Sequence, residues 1–441
     1  MVNVRQHPGR HGLAALLPIW LVGSLALAAC GGSDGGGDGD SASGACEGVP
    51  LKVAVRSQFA PNMEKVLAAY EEESGSDTEL QTLPDDNAQY QQSIVAQRMG
   101  DEMPDVLENI DTLVNAMAES RVTADLTSFL SDGDLQEDSF LPQFLDAYRP
   151  IDLPDEIHGM PVAADAYVLF YNKDLFAQYG VDLPAEDWTW DDFYAAAKEI
   201  TTAGNGEVFG FVGANLPQPT FNPVIQSYGG FVYDKDSNTT GIGEPEAIEA
   251  WTFLLQPYQD GTYAPFEIGS SPSPPDFASG RVAMAFSTRK NVPNFRNQLD
   301  ADWDVAPVPL LNGEHPIGGG SYGLSMSDRS ECKDNAWDFL TWFYTEDGGM
   351  KIMQENYATV PPTLEGVESG SWRELPGPPA NVQVFADAVS EAKMAPQLPR
   401  AAGPELAAAL LAAQQKVLLE GASVEDAFGE AAADVNDALE E

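Results

Sequence analysis

The chain has 441 residues, enough for two or three domains that each bury a core. With 43% hydrophobic and 21% charged residues it is neither disordered nor fibrous. Sixty-nine Asp and Glu stand against 22 Lys and Arg, a formal net charge of -47, which repels phosphate backbones and anionic lipid headgroups and weighs against nucleic acid as a partner.

Arg5, His7, Arg10 and His11 lead into an apolar run, residues 13–29, that holds no acid and is broken by Pro18 and Gly23. A basic lead-in, a short apolar stretch and small residues at its end describe a signal peptide rather than a spanning helix. Leu27-Ala28-Ala29-Cys30 looks like a bacterial lipobox, in which cleavage precedes Cys30 and its sulfur takes a diacylglycerol; simple cleavage with an incidental cysteine is the plainer alternative. Residues 31–45 are almost all Gly, Ser, Ala and Asp, a flexible tether that cannot bury a core. Cys46 and Cys332 are then an even pair outside the reducing cytoplasm, either bridged to one another or free, and the bridge is the reading adopted. Beyond the leader only His158 and His315 remain, so no metal site and no cofactor is expected.

Leu51-Lys52-Val53-Ala54-Val55 reads as a buried strand. Pro61 then suits a first helical turn, with Met63, Val66, Leu67 and Tyr70 on one face. A second helix over 89–99 leads to a strand start at Pro104-Asp105-Val106-Leu107, so the chain opens as β-α-(β)-α-β. After Gly159-Met160-Pro161-Val162 comes an apolar strand over 166–171, and Thr189-Trp190-Asp191-Asp192 opens the next helix with a capping box. Ile248, Trp251, Thr252 and Leu255 mark another helix, residues 282–286 another strand, and Ala336, Phe339, Leu340 and Phe343 a helix starting near Cys332. The last hundred residues read as helices only. These elements predict two α/β lobes with a helical tail.

Taken together, several segments resemble the family 1 extracellular solute-binding proteins, the maltose-binding-protein group of ABC importers. The resemblance rests on Gly159-Met160-Pro161 followed by Leu169-Phe170-Tyr171-Asn172-Lys173-Asp174-Leu175-Phe176, and on Trp188-Thr189-Trp190-Asp191-Asp192-Phe193. Phe277-Ala278-Ser279-Gly280-Arg281-Val282-Ala283-Met284, the run Trp303 to Pro309, Gly318-Gly319-Gly320-Ser321, Ala336 to Leu340 and Gly421 to Ala427 follow in order. The resemblance implies an α/β fold of the two-lobe, type II periplasmic-binding-protein kind, with three inter-lobe crossings near 162–165, 286–289 and 318–322. The implied division is leader 1–29, tether 30–49, first lobe 50–163, second lobe 164–286, a return to the first lobe over 287–320, and to the second over 321–441. It also implies a monomer that closes over a small solute like a hinge, delivers it to the permease subunits of an importer, and catalyses nothing.

Ligand contacts are expected on loops at the strand ends facing the cleft and at the crossings. Asp111 suits sugar hydroxyls or a helix cap. Asp165 stands before an apolar strand, where an acid has little structural reason to be. Tyr167 faces the cleft or the core. Arg289, with its forked cation, suits paired hydroxyls, an anion or an inter-lobe ion pair. Gly319 and Gly320 let backbone approach a ligand, Ser321 lies beside them, and Tyr322 offers a ring to a sugar face or to the core. Phe221 and Asn222 pair an aromatic platform with a polar group, and Arg56 and Gln58 follow the first strand. The Tyr-Asn-Lys-Asp and Ala-Met segments read as turn, cap and core, outside the site.

Carbohydrate is the ligand the resemblance implies, with glycerol phosphates and polyamines as alternatives. A lipid-anchored glycosidase competes, because acids for a carboxylate pair are plentiful, but no Gly-x-Ser-x-Gly elbow is present. A surface scaffold competes less well, since no repeat of fixed period appears.

Overall fold

The computed structural model describes residues 46, 48–100, 102–133, 135–212, 218–264, 276–357, 359–369, 371–374, 377–400 and 402–440. The expected signal peptide, Cys30 and nearly all of the expected tether lie outside these residues. The strands in chain order are β1 (Leu51–Arg56), β2 (Thr78–Leu83), β3 (Val106–Ile110), β4 (Met160–Pro161), β5 (Asp165–Ala166), β6 (Val168–Asn172) and β7 (Phe209–Phe211). A hairpin of β8 (Tyr233–Asp234) and β9 (Thr239–Thr240) precedes β10 (Val282–Ser287), β11 (Trp303–Ala306), β12 (Gly318–Gly320), β13 (Tyr322–Met326) and β14 (Lys393–Met394).

Two main sheets organise two lobes. The first has the order β2-β1-β3-β13-β4, with β1 parallel to β2 and β3, and β13 antiparallel to β3 and β4. Every residue of β3 is buried, as expected of an inner strand covered by helices on both faces, whereas β2 at the edge is mostly open. Val66, Leu67 and Tyr70 of the helix Ala60–Ser74 pack on this sheet with Phe339, Leu340 and Phe343 of the helix Lys333–Phe343. A disulfide between Cys46 and Cys332 ties the start of this lobe to the beginning of that helix.

The second sheet has the order β11-β6-β10-β7. The helix Trp190–Gly204 lies against it, opened by the Thr189 side chain accepting from Asp192 N while Asp192 accepts from Thr189 N (2.9 Å). Its Phe193, Ala197 and Ile200 join Trp251 and Phe428 in the largest core cluster, which the helices Ala402–Leu419 and Val424–Leu439 close from outside. A short sheet, β14-β12-β5, stands apart from both main sheets.

The chain passes between lobes where β4 gives way to β5 and where β12 gives way to β13. A third passage falls at 357–360, between the helix Gly349–Tyr357, whose Met350 and Met353 pack in the first lobe, and Val360, which packs in the second. The expected crossing at 286–289 is absent. β10 and β11 are both antiparallel neighbours of β6, so residues 287–320 belong to the second lobe and not the first. Residues 321–357 correspondingly belong to the first lobe, and the chain returns to the second only from Val360 onward. The partner of β11 is β6, with paired residues 131 to 137 positions apart, Trp303 with Asn172 and Ala306 with Leu169, and leaves no local mark. The Lys393–Met394 strand also interrupts the helical tail.

A candidate ligand site between the lobes

The two passages beside β5 and β13 meet in one network. β12 pairs antiparallel with β5, setting Gly320 opposite Asp165 and Gly319 opposite Ala166. Tyr322 Oη donates to Asp165 Oδ2 (2.6 Å), and Ser321 N donates to Asp111 Oδ2 (3.0 Å). Asp111 Oδ1 accepts from Thr112 N (2.8 Å), the Ser321 hydroxyl donates to Ala163 O (2.8 Å), and Tyr148 Oη lies 3.2 Å from Ser321 Oγ. Lys290 Nζ stands 5.1 Å from the centre of the Tyr322 ring.

Burial dominates the electrostatics here. It pushes the Asp111 carboxyl up to about 6; the Ser321 and Thr112 amides pull it down and the Asp165 charge adds to the rise. Asp165 is raised by burial too, against Lys290 and the Tyr322 hydroxyl. Its Oδ1 is buried without a hydrogen-bond partner. Burial likewise takes the Tyr167 phenol up to about 12.

Beside this network lies a cavity of about 550 Å³. The first lobe supplies Asp86, Asn87, Gln91 and Thr112 to its wall, and the second supplies Phe221, the loop 396–400 and one face of the helix Ala402–Leu419. The volume falls within the range of small-molecule sites, and its first-lobe wall comes from the segments that follow β2 and β3. Asn115 Nδ2 donating to Leu398 O (3.2 Å), Gln397 Nε2 to Ala147 O and Lys235 Nζ to Ile151 O hold the lobes together around it. Among the described residues no cluster of three His, Cys, Asp or Glu is placed to hold a metal ion.

The family model for bacterial extracellular solute-binding proteins matches residues 56–350. The chain belongs to that family. Binding proteins of Brucella abortus and Brucella suis align over 283 residues at 27% identity, across 59% of this chain and 64% of theirs, a little under two thirds of their length. The galactooligosaccharide-binding protein of Bacillus subtilis is 26% identical over 330 residues, 70% of this chain and 71% of that one. An ABC substrate-binding protein from Listeria monocytogenes, solved in complex with cycloalternan, superposes with a TM-score of 0.78 at 25% identity, covering 89% of this chain and 99% of the other. The fold is that of the type II periplasmic binding proteins.

In this solute-binding protein the residues expected at the site divide into three groups. Asp111, Asp165, Ser321 and Tyr322 come together at the crossings, joined by Gly320, whose position would set a Cβ 3.6 Å from Asp111 Oδ2. Phe221 lies on the cavity wall, packed 5.0 Å from Trp251 and only 3% exposed.

The others serve the framework. Arg56 is buried and grips Glu108 through Nε (3.0 Å) and Nη2 (2.5 Å) and Asn87 through Nη1 (2.9 Å), bonds made within the first lobe. Arg289 donates to Thr359 O (2.7 Å) and Trp372 O and stacks 5.0 Å from the Trp372 ring. Burial pulls that guanidinium down to about 9, and it clamps the chain beyond the third crossing instead of holding hydroxyls, an anion or an inter-lobe carboxylate. Asn222, 1% exposed, ties its helix to β14 by donating to Met394 O (3.4 Å). At Gly319 a Cβ would stand 2.9 Å from Met394 Sδ, so the glycine serves packing within the β14-β12-β5 sheet. Tyr167 is half-buried, its amide donating to Gly318 O (3.1 Å), and Gln58 is exposed, its amide donating to Asp85 Oδ1 (2.7 Å). Asn172 caps the helix Lys173–Tyr179 by accepting from Leu175 N (3.1 Å), and Met284 is fully buried.

The sequence reading missed the loop 396–400 and Gln414. A signal was present: Leu406, Leu410 and Gln414 fall at i, i+4 and i+8, so an amide interrupts an otherwise apolar stripe.

Proposed function

We propose that this protein is the receptor of an ABC importer and captures a carbohydrate between its lobes. The supporting observation is the cavity whose walls come from both lobes, next to hydrogen-bonded crossings. A ligand that touches both walls stabilises the closed arrangement over the open one, and the permease subunits then meet a shape the empty protein rarely adopts. No bond is made or broken in this role. Asp111 and Asp165, the acids at the crossings, are engaged with Ser321 and Tyr322 and are read as positioning groups. The leader, the Cys30 lipid and the tether give the receptor an extracytoplasmic place on the membrane face; mass spectrometry of the N-terminal peptide from membranes shows the diacylglyceryl cysteine if this is right. The names and ligands of the relatives support carbohydrate as cargo.

Thermal shift and Trp fluorescence with a panel of oligosaccharides, glycerol phosphates and polyamines test the reading. The cargo raises stability by about 3 kcal/mol at a hundredfold excess over its Kd. A shift only with glycerol phosphates or polyamines keeps the receptor and replaces the cargo. Release of reducing sugar during titration overturns the receptor in favour of a hydrolase.

A further inference from the structure

The two walls of the inter-lobe cavity differ in balance. The first lobe contributes the polar Asp86, Asn87, Gln91 and Thr112 together with Ala88, Leu113 and Ala116. Across from them the helix Ala402–Leu419 contributes Pro404, Leu406, Ala407, Leu410 and Leu411, with Leu398 beside it. From Gly403 to Gln414 this helix lines the cavity across twelve residues, eleven rises or roughly 16 Å at 1.5 Å per residue. Phe221 is the one aromatic side chain among the described lining residues, and it is almost wholly covered.

A bare oligosaccharide carries hydroxyls around most of its rim. Each hydroxyl pressed against Leu or Pro without a partner gives up its bonds to water and weakens binding. An aliphatic wall of this length therefore suits hydrocarbon, while the opposite wall suits hydroxyls. At the far end of the aliphatic wall Gln414 is only 4% exposed, and its Oε1 is buried with no hydrogen-bond partner. A buried amide left unpaired weakens the empty protein, whereas a ligand hydroxyl donating to it recovers that cost.

We propose that the cavity selects glycosides that carry an apolar substituent, with the substituent along the 402–419 helix and a hydroxyl donating to Gln414. The inference rests on the carbohydrate reading above and narrows it from sugars in general to amphipathic ones.

The test is calorimetric titration of the full chain with matched pairs, methyl and n-octyl β-D-maltoside and methyl and n-octyl β-D-galactoside, below their micellar concentrations. Within the pair that binds, the octyl glycoside is at least tenfold tighter and shows the more negative heat-capacity change. Leu411→Gln, at a position 37% exposed in the free protein, brings the octyl-to-methyl affinity ratio close to one. Gln414→Met weakens both members at least tenfold while the melting temperature of the free protein holds or rises; a merely structural glutamine gives a lower melting temperature and unchanged affinity. Equal affinity for methyl and octyl members overturns the inference and leaves the carbohydrate reading standing. Octyl glycosides that bind as well to Leu411→Gln as to the parent overturn it too, by showing adsorption elsewhere. If no glycoside of either kind binds while a glycerol phosphate or polyamine does, the carbohydrate reading itself is overturned and this inference falls with it.

Discussion

Tyr322 opens β13 in the first lobe, and its hydroxyl donates to Asp165, which opens β5 beside the second, at 2.6 Å. The bond therefore spans two separate passages of the chain between lobes. The other carboxylate oxygen of Asp165 is buried without a partner, so the tyrosine hydroxyl carries much of what satisfies this acid. Tyr322→Phe removes the donor and leaves a buried carboxylate still less satisfied, which costs about 1–3 kcal/mol. Urea unfolding of the variant measures the loss. Asp165→Asn in the Tyr322→Phe background should restore part of it, since a neutral amide is cheaper to bury than a charge.

The raised carboxyl of Asp111 sets a pH dependence whose sign is opposite to that of a salt-bridged acid. Its folded value of about 6 exceeds its ordinary 3.8, so between these values the folded state binds the proton more readily than the unfolded chain. Stability from this group is present below pH 4 and lost as pH rises through 6, by an amount on the order of 2–3 kcal/mol. Asp111→Asn flattens that part of the stability profile. Melting temperatures of the two proteins from pH 4 to 7 check it: the curves should run together at the acid end and separate toward pH 7, where the variant is the more stable, and parallel curves rule the assignment out.

Strand and helix positions were largely legible because they are local. The Thr189 to Asp192 capping box, the 3.6-residue stripe of Ala336, Phe339, Leu340 and Phe343, and the apolar 51–55 run each describe their own element. Membership of a lobe is not local. Strand β11 is fully buried, and only its antiparallel register with β6 places it in the second lobe. The site shows the same division. Asp165 could be singled out because an acid before an apolar strand is unusual, and it does lie at a crossing. Arg56 and Arg289 are equally unusual, but their partners, Glu108 and the Thr359 and Trp372 carbonyls, are distant in sequence, so a clamp and a ligand contact look alike there.

Arg56 and Glu108 form an ion pair with side chains only 8% and 0% exposed, joining the end of β1 to the middle of β3. Removing one partner strands a charge in the core. Arg56→Met alone is expected to cost about 3–5 kcal/mol. Adding Glu108→Leu removes the stranded carboxylate and should recover most of the loss, although the Arg56 amide that donated to Glu108 Oε2 (2.8 Å) then lacks its acceptor. Chemical denaturation of the two singles and the double closes the cycle. Additive losses would mean that the pair is no more than two separate packing residues.

Three consecutive glycines, Gly318, Gly319 and Gly320, form β12, and their surroundings give them unequal importance. At Gly318 a Cβ would lie 1.6 Å from Pro219 O, main-chain atoms of the helix Gln218–Ser227 that cannot rotate aside. At Gly320 the first neighbour is a side-chain oxygen, Asp111 Oδ2, at an ordinary 3.6 Å. Gly318→Ala must therefore displace a helix that carries Phe221 on the cavity wall, and overpacking of this kind costs about 1–3 kcal/mol or more. Gly320→Ala should stay within about 1 kcal/mol of the parent and keep its ligand affinity. Melting temperatures and titration of both variants with the same sugar decide it. Equal losses at the two positions would show that strand flexibility, and not the approach of the 218–227 helix, is what the glycines provide.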